Sequence, residues 1–283
     1  MNVNLSTEVS NEDRARIIDA MKRIEVNYDV NIIHCVESGS RSWGIQSPDS
    51  DFDVRFIYAH KDVRKYVGMT TPIEEIAETV GNLDIKGYDI RAAYRLIASG
   101  EVNVYEWLNS EIVYITNYAD LWVIEDVARH YFDVGTVIRR YYGFAKKIYI
   151  DDLKWVDEVK VKKYLYALRA ILCSRYVMAN NEPVPLRLDK LLEYMSYNYQ
   201  DEMENLLTMK TDKMENSTTS KSYALEENIL NELSMLEEMM RPIQKRVTVD
   251  YAFMNANLFR YVLTHLPAEE HEIAVSCPPV EEA

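Results

Sequence analysis

Residues 37–58 read ESGSRSWGIQSPDSDFDVRFIY. The segment just before them, 30–36, is short, apolar and rich in β-branched residues, which predicts a strand that ends in the polar turn at 37–40. Pro48 and the serines around it predict a loop at 45–50, and the residues that follow, 51–58, are typical of a second strand. A strand, a glycine-serine turn and a second strand therefore form the predicted centre of the fold.

Two carboxylates mark the start of the second predicted strand. Asp51 and Asp53 stand two residues apart, so both side chains project from the same face of the strand. Like charges held this close raise each other's pKa unless a cation lies between them, and Mg²⁺ with its oxygen ligands is the natural occupant. The glycines Gly39 and Gly44 allow the neighbouring turn to approach a phosphate closely. The alternative interpretation is a solvated strand face on which two aspartates stand by chance.

Composition narrows the class of protein. The chain has 283 residues, a net charge of −14 and only 8 glycines, which excludes collagen-like chains and argues against extended binding to nucleic-acid backbone. Cys35, Cys173 and Cys277 are far apart and lack C-x-x-C spacing, so neither a disulfide framework nor a zinc site is predicted. Because no apolar run is long enough for a membrane helix and no signal-peptide pattern is present, we expect a cytoplasmic protein with no membrane partner.

Periodicity divides the chain into two halves. Helical spacing predicts a first helix at 11–24, and a third strand is expected at 83–89. The prediction is an α+β fold: a domain with a small mixed sheet and flanking helices at 1–120, an all-helical domain at 121–266 and an acidic disordered tail at 267–283. In the helical domain we expect helices at 137–150, 159–178, 188–199, 225–240 and 248–264 and an exposed loop at 211–221.

Charge is distributed unevenly in the helical half. Residues 139–175 hold ten Lys or Arg against four acids, while 191–240 is acidic and has no functional interpretation. On a helix, Lys163, Tyr166 and Arg169 share one face. That face could supply cations and a stacking ring to a nucleotide across a cleft, or it could be an ordinary solvated surface.

The motif Ser-Gly-Ser-Arg-x-Trp-Gly, followed by Ser-Pro-Asp-Ser-Asp-x-Asp-Val-Arg, resembles the active-site signature of the DNA polymerase β-like nucleotidyltransferases. More narrowly, the chain is similar to the bacterial and phage branch called RlaP, which is named for its predicted place in RNA repair. Blocks at 87–91, 105–114 and 161–169 add to the resemblance. The resemblance implies a nucleotidyltransferase sheet domain and a helical domain that binds substrate.

The resemblance also implies a reaction: transfer of a nucleoside monophosphate from a nucleoside triphosphate (NTP) to a hydroxyl, with two Mg²⁺ ions. Asp51 and Asp53 match the aspartates that hold Mg²⁺, and Gly39 and Ser40 match the turn that grips the triphosphate. Arg41 of the same turn and the helix residues Lys163, Tyr166 and Arg169 complete the predicted nucleotide-binding set.

A third carboxylate from a later strand is expected to face the first two, to bind metal and to help deprotonate the acceptor. We assign Asp89 to this catalytic and metal-binding position because it follows Gly87 in a block that resembles the family. Asp84 is the rival and lies on the other face of a regular strand. Asp89 could also serve as the N-cap of the next helix.

The acceptor implied by the family's name is a tRNA-like RNA 3′ end, contacted through the basic segment 139–175. Two alternatives stay open: the transfer of a nucleotide to a protein or a small molecule, and a non-catalytic protein that keeps the fold to bind a nucleotide or a partner. The sequence predicts neither the choice of NTP nor the oligomeric state.

Overall fold

The computed structural model describes residues 7–69, 71–196, 199–212, 214–244 and 248–267. Its strands, in chain order, are β1 (Val30–Glu37), β2 (Phe52–His60), β3 (Glu75–Val80), β4 (Leu83–Asp89), β5 (Val113–Thr116), β6 (Glu158–Lys160) and β7 (Thr218–Ser220). In this part of the chain, five strands form a mixed sheet in the order β3-β4-β2-β1-β5, and β6 pairs with β7 in a separate ribbon.

The helices are mostly amphipathic and surround the sheet or pack on one another. They are α1 (Asn11–Asn27), α2 (Gly39–Ser42), α3 (Ile90–Ala98), α4 (Val102–Leu108), α5 (Tyr118–Tyr131), α6 (Val134–Ile148), α7 (Val161–Asn180), α8 (Leu188–Leu191), α9 (Gln200–Asp212), α10 (Tyr223–Met240) and α11 (Ala252–His265). Short 3₁₀ turns at Val63–Tyr66 and Leu192–Tyr194 and a π turn at Tyr149–Leu153 connect some of them. None of the described helices has an apolar stretch long enough to cross a lipid bilayer.

Local signals account for the first helix and for the middle strands of the sheet. The hydroxyl of Ser10 accepts the backbone N–H of Asp13, and the apolar stripe of α1 is buried against the sheet. The strand expected at 83–89 coincides with β4, and the strands expected at 30–36 and 51–58 agree with β1 and β2 within two residues. The predicted fold class, an α+β fold with a mixed sheet and a helical half, is confirmed.

The sheet register sets which residues meet at the site. Strand β2 runs antiparallel to β1 and parallel to β4, and in the parallel pair Asp53 lies opposite Asp84. The edge strands β3 and β5 were not predicted. In β3 only Ile76 is buried, and β5, although rich in β-forming residues, is only four residues long, so neither was identified as a strand.

The described residues form three buried cores. One lies between α1 and the sheet, and another lies on the opposite face of the sheet, where α3, α5 and α11 pack. The third fills the helical half and includes Ile45 from the loop before β2. Residues of α5 and α11 that lie within the predicted helical domain at 121–266 pack in the sheet's core. Apart from Pro267, the predicted tail at 267–283 lies outside the described residues.

Candidate functional site

Asp53, the second residue of β2, lies at the centre of the candidate site. Its backbone N–H donates to Oε1 of Glu37 at 3.0 Å, and its carbonyl accepts the N–H of Ser38 at 2.8 Å. Its carboxylate lies directly against Gly39, where an added Cβ would overlap Oδ2 of Asp53. Gly39 also has a φ of +60°, so both its conformation and its contact with Asp53 favour glycine. The structure therefore brings the predicted glycine-serine turn and the predicted strand aspartate together.

Arg55 joins Asp53 to a second carboxylate, that of Asp84. Nη2 of Arg55 lies 2.8 Å from Oδ1 of Asp53 and 2.8 Å from Oδ2 of Asp84. Its Nη1 donates to the carbonyl oxygen of Asp84 at 2.8 Å. Two acids on neighbouring strands thus share one guanidinium group.

Asp89 does not belong to this cluster. It lies opposite Tyr58 in the β2–β4 pair, five residues farther along β4 than Asp84. Its buried carboxylate accepts the hydroxyl of Tyr66 at 2.5 Å and the N–H of Arg91 at 2.9 Å, so it caps α3. The structure therefore does not bring Asp89 to the strand aspartates, whereas the strand register sets Asp84 beside Asp53.

Negative charge accumulates around Asp53. Burial raises the pKa of the Asp53 carboxyl, Arg55 lowers it, and the charges of Asp84, Asp51 and Glu215 raise it again. Asp51 is exposed immediately before β2. Among the described residues, no three His, Cys, Asp or Glu side chains form a ready-made metal site. The oxygen donors at hand are of the kind that Mg²⁺ uses, since Mg²⁺ often binds one or two carboxylates together with substrate phosphates.

Glu37 is a further residue of the site; its sequence pattern predicted only that it belongs to the turn at 37–40. Its buried carboxylate accepts the hydroxyl of Tyr114 at 2.6 Å as well as the N–H of Asp53, and Nε of Arg41 lies 3.5 Å from it. Burial raises the pKa of Glu37 to about 7. A carboxylate at the end of an apolar strand, directly before the turn, was the signal that could have identified it.

Arg41 braces the connection between the turn and β2. Its guanidinium lies 4.1 Å above the ring of Phe52 and donates to the carbonyl of Ser50 at 3.2 Å, in addition to the ion pair with Glu37. Ser40 beside it is buried. The contacts of Arg41 are thus made with the protein itself.

Tyr166 and Arg169 meet the turn segment at Trp43. The rings of Trp43 and Tyr166 lie edge to face at 5.2 Å, and the guanidinium of Arg169 lies 4.0 Å above the Trp43 ring. Arg169 is buried and pairs with the buried Glu106 at 3.0 Å. These residues line a cavity of about 470 Å³ between α4, α6 and α7, which Arg140 also lines.

Comparison with known proteins assigns the chain to a sequence family. The family model "RlaP: RNA repair pathway DNA polymerase beta family" matches residues 14–260. The chain belongs to this family. It is also 36% identical over 200 residues to "Uncharacterized protein YcgL" of Bacillus subtilis (strain 168), a match that covers 70% of this chain and 76% of that protein. A crystal structure of a nucleotidyltransferase-like protein from Exiguobacterium sibiricum 255-15 aligns with 88% of this chain and 80% of its own, with 11% identity and a TM-score of 0.27.

In this RlaP family member, ion pairs hold several cations of the basic segment. Lys163 pairs with Asp152 at 2.9 Å and does not line the cavity. Glu215 and Glu232 of the acidic segment 191–240 supply partners for Lys162 and Arg175 of the basic segment. The further ion pairs of the basic segment are Arg140–Glu101, Lys162–Glu215, Arg169–Glu106 and Arg175–Glu232.

The loop that precedes β2 is fixed to the helical half of the RlaP fold. Nζ of the buried Lys210 lies 2.6 Å from Oγ of Ser47 and pairs with Glu215. Glu215 also accepts the hydroxyl of Ser50 at 2.9 Å, and its N–H donates to Asp49 at 2.7 Å. Because this loop leads directly into the strand aspartates, these contacts hold the acidic cluster in place relative to α9.

Proposed function

We propose that this member of the RlaP family is a Mg²⁺-dependent nucleotidyltransferase that moves a nucleoside monophosphate from an NTP to an acceptor hydroxyl and releases pyrophosphate. The observation that best supports the proposal is the position of Asp53. Its carboxylate touches the turn at Gly39 on one side and is linked through Arg55 to Asp84 on the other. A turn open to phosphate and an acidic cluster suited to a divalent cation therefore meet at one carboxylate.

The proposal assigns roles to the predicted metal-binding and nucleotide-binding residues that the structure brings to the site and its cavity. Asp51 and Asp53 would hold Mg²⁺, which when bound supplies positive charge to the phosphate oxygens and orients the phosphate for attack. Gly39 lets the turn that would bind the triphosphate lie directly against Asp53, because it has no side chain. Tyr166 and Arg169 line the cavity beside Trp43, and this cavity would receive the nucleoside.

An RNA 3′ end is the proposed acceptor. The support is the description of the family, which names an RNA repair pathway. Ion pairs occupy many cations of the basic segment, including Lys163 with Asp152 and Arg175 with Glu232, so long contacts with an RNA backbone are not expected. A short or structured end that enters the site alone would fit this surface.

A protein or a small molecule is the second candidate acceptor. The net charge of −14 and the ion pairs that hold Lys162 and Arg169 favour it, because a net acidic chain does not repel an uncharged or basic acceptor. The cluster around Asp53 has the same role in this case, and only the source of the attacking hydroxyl differs.

A labelling assay tests the proposal. The full chain is incubated with Mg²⁺, each α-³²P-labelled NTP in turn, and either a structured RNA with a 3′ hydroxyl or the same RNA ending in a 3′-deoxynucleotide. Label on the hydroxyl-ended RNA alone is the expected result, while label on polypeptide indicates the second acceptor. Asp53→Asn should abolish labelling, and Asp19→Asn, which changes an exposed aspartate of α1, should not. Equal labelling by Asp53→Asn and the unaltered chain would rule out the proposed chemistry.

A further inference from the structure

The guanidinium of Arg55 lies between two carboxylates that would otherwise repel each other. A single nitrogen, Nη2, is within 2.8 Å of both Oδ1 of Asp53 and Oδ2 of Asp84. Carboxylate oxygens that converge on one point from neighbouring strands are the usual arrangement for a bridging divalent cation. Here the convergent point is occupied by a cation that belongs to the chain.

Arg55 is firmly fixed in this position. Besides the two carboxylates, its Nη1 donates to the carbonyl of Asp84 at 2.8 Å and to the carbonyl of Val54 at 3.2 Å. Its side chain is only 15% exposed. Turning away would leave two carbonyl groups and two carboxylates without this donor, which is costly for groups that are partly buried.

The alternation of β2 explains why the arginine reaches this point. Residues two apart on a strand share a face, so Arg55 lies on the same face as Asp53, and the parallel register sets Asp84 beside both. Lys86, opposite Arg55 on β4, pairs with Glu75 on β3 instead. Lys86 therefore does not compete with Arg55 for the carboxylates of Asp53 and Asp84.

The net charge of the cluster also bears on how many metal ions it can bind. The carboxylates of Asp51, Asp53 and Asp84 together with the guanidinium of Arg55 leave two negative charges. A single divalent cation offsets these, and Glu215 nearby is already paired with Lys210 and Lys162. An arginine side chain stays charged at any pH at which the protein folds. The positive charge of Arg55 belongs to the chain, so it is present at any concentration of metal.

We propose that Arg55 takes the place of one of the two metal ions of the nucleotidyltransferase site, so that the site binds a single Mg²⁺ at Asp51 and Asp53. This inference rests on the proposed function and replaces the two-metal expectation drawn from the family resemblance. Asp84 then acts as a positioning residue, because it holds the guanidinium in place and does not ligate metal. Arg55 supplies a fixed positive charge beside the phosphate that leaves Asp53 free to bind metal through Oδ2, the oxygen that faces Gly39.

Counting bound metal tests this role without requiring turnover. Mn²⁺ replaces Mg²⁺ as the probe, and electron paramagnetic resonance measures how many Mn²⁺ ions bind per chain with each α,β-methylene NTP. The unaltered chain should bind a single Mn²⁺. Arg55→Gln should bind a second one, and the double variant Arg55→Gln with Asp84→Asn should return to one, because the second ion needs the carboxylate of Asp84.

Two further variants control for unfolding and for a merely structural ion pair. Arg95→Gln removes an arginine that pairs with Glu74 at the far end of β4, and it should leave the count at one. Arg55→Lys keeps a charge at the site and also should leave the count at one, even where Arg55→Gln fails to fold. A count of two for the unaltered chain, or for Arg55→Lys, overturns the role of Arg55 alone. Failure of every variant to bind Mn²⁺ overturns the proposed function as well.

Discussion

The carboxylate of Asp53 lies so close to Gly39 that a β-carbon at residue 39 would overlap Oδ2 of Asp53. Gly81, in the turn between β3 and β4, has nearly the same backbone conformation, with a φ of +62° against +60° for Gly39. No heavy atom lies within 4 Å of a β-carbon added to Gly81. The two glycines therefore separate the cost of a left-handed conformation from the cost of contact with the candidate metal ligand.

Gly39→Ala and Gly81→Ala are a matched pair for this relationship. Gly81→Ala should lower the free energy of unfolding by about 1 kcal/mol and leave nucleotidyl transfer unchanged, because only the positive φ is strained. Gly39→Ala should cost more and should abolish transfer, since Asp53 must move to make room. Urea denaturation and the labelling assay measure the two effects. Full activity of Gly39→Ala would show that the close approach to Asp53 has no role in the chemistry.

Asp84 and Asp89 should respond to substitution in opposite ways. Asp84→Asn changes a half-exposed carboxylate and should lower kcat roughly 10–100-fold with little loss of stability, because it removes a charged partner that orients Arg55 while the backbone partners of Arg55 remain. Asp89→Ala removes the cap of α3 and the acceptor for Tyr66. It should cost about 2 kcal/mol of stability.

The activity of folded Asp89→Ala should stay close to that of the unaltered chain, since Asp89 lies five residues from Asp84 along β4. Thermal unfolding and initial rates at saturating NTP distinguish the two variants. An inactive but fully stable Asp89→Ala, next to an active Asp84→Asn, would restore Asp89 to the catalytic set.

The choice between Asp84 and Asp89 shows which structural features can be predicted from a single sequence. Apolar runs and capping residues are local signals, and they predicted β1, β2, β4 and α1 within two or three residues. The choice between Asp84 and Asp89 depends on the register of β4 against β2, which involves residues about thirty positions apart and leaves no local trace. Pairing between distant charges, such as Arg169 with Glu106, is equally invisible in the sequence. The turn at Gly39 was predicted because the residues that form it are adjacent in the chain.

Glu37 should make stability depend on pH. Burial raises its pKa from 4.5 to about 7 in the folded protein, although Tyr114, the N–H of Asp53 and Arg41 favour the ionised form. Its contribution to stability is full below pH 4.5 and is lost as the pH rises to about 7, because the unfolded chain releases this proton first. The loss is of order 3 kcal/mol.

Glu37→Gln isolates this contribution. The glutamine side chain can still accept the N–H of Asp53 but does not titrate, so the decline in stability between pH 4.5 and 7 should be smaller by the same amount. Free energies of unfolding from urea titrations without divalent metal, taken at several pH values for both proteins, give the difference. Parallel curves for the two proteins would mean that Glu37 is ionised in the folded state throughout this range.

We expect Arg169 to be required first of all for the stability of the fold, and its contact with the nucleotide to be a separate, secondary contribution. Its partner Glu106 is 5% exposed, so Arg169→Ala leaves a buried charge unpaired and should cost about 3–5 kcal/mol in urea denaturation. Arg140→Ala is the matched control, since Arg140 lines the same cavity but pairs with Glu101 at the surface, and it should cost at most about 1 kcal/mol. Arg169→Met combined with Glu106→Gln should recover most of the lost stability because no unpaired charge remains. Equal stability of the two alanine variants would contradict a structural role for Arg169. Weaker NTP binding by the stable double variant would measure the direct contact of Arg169 with the nucleotide.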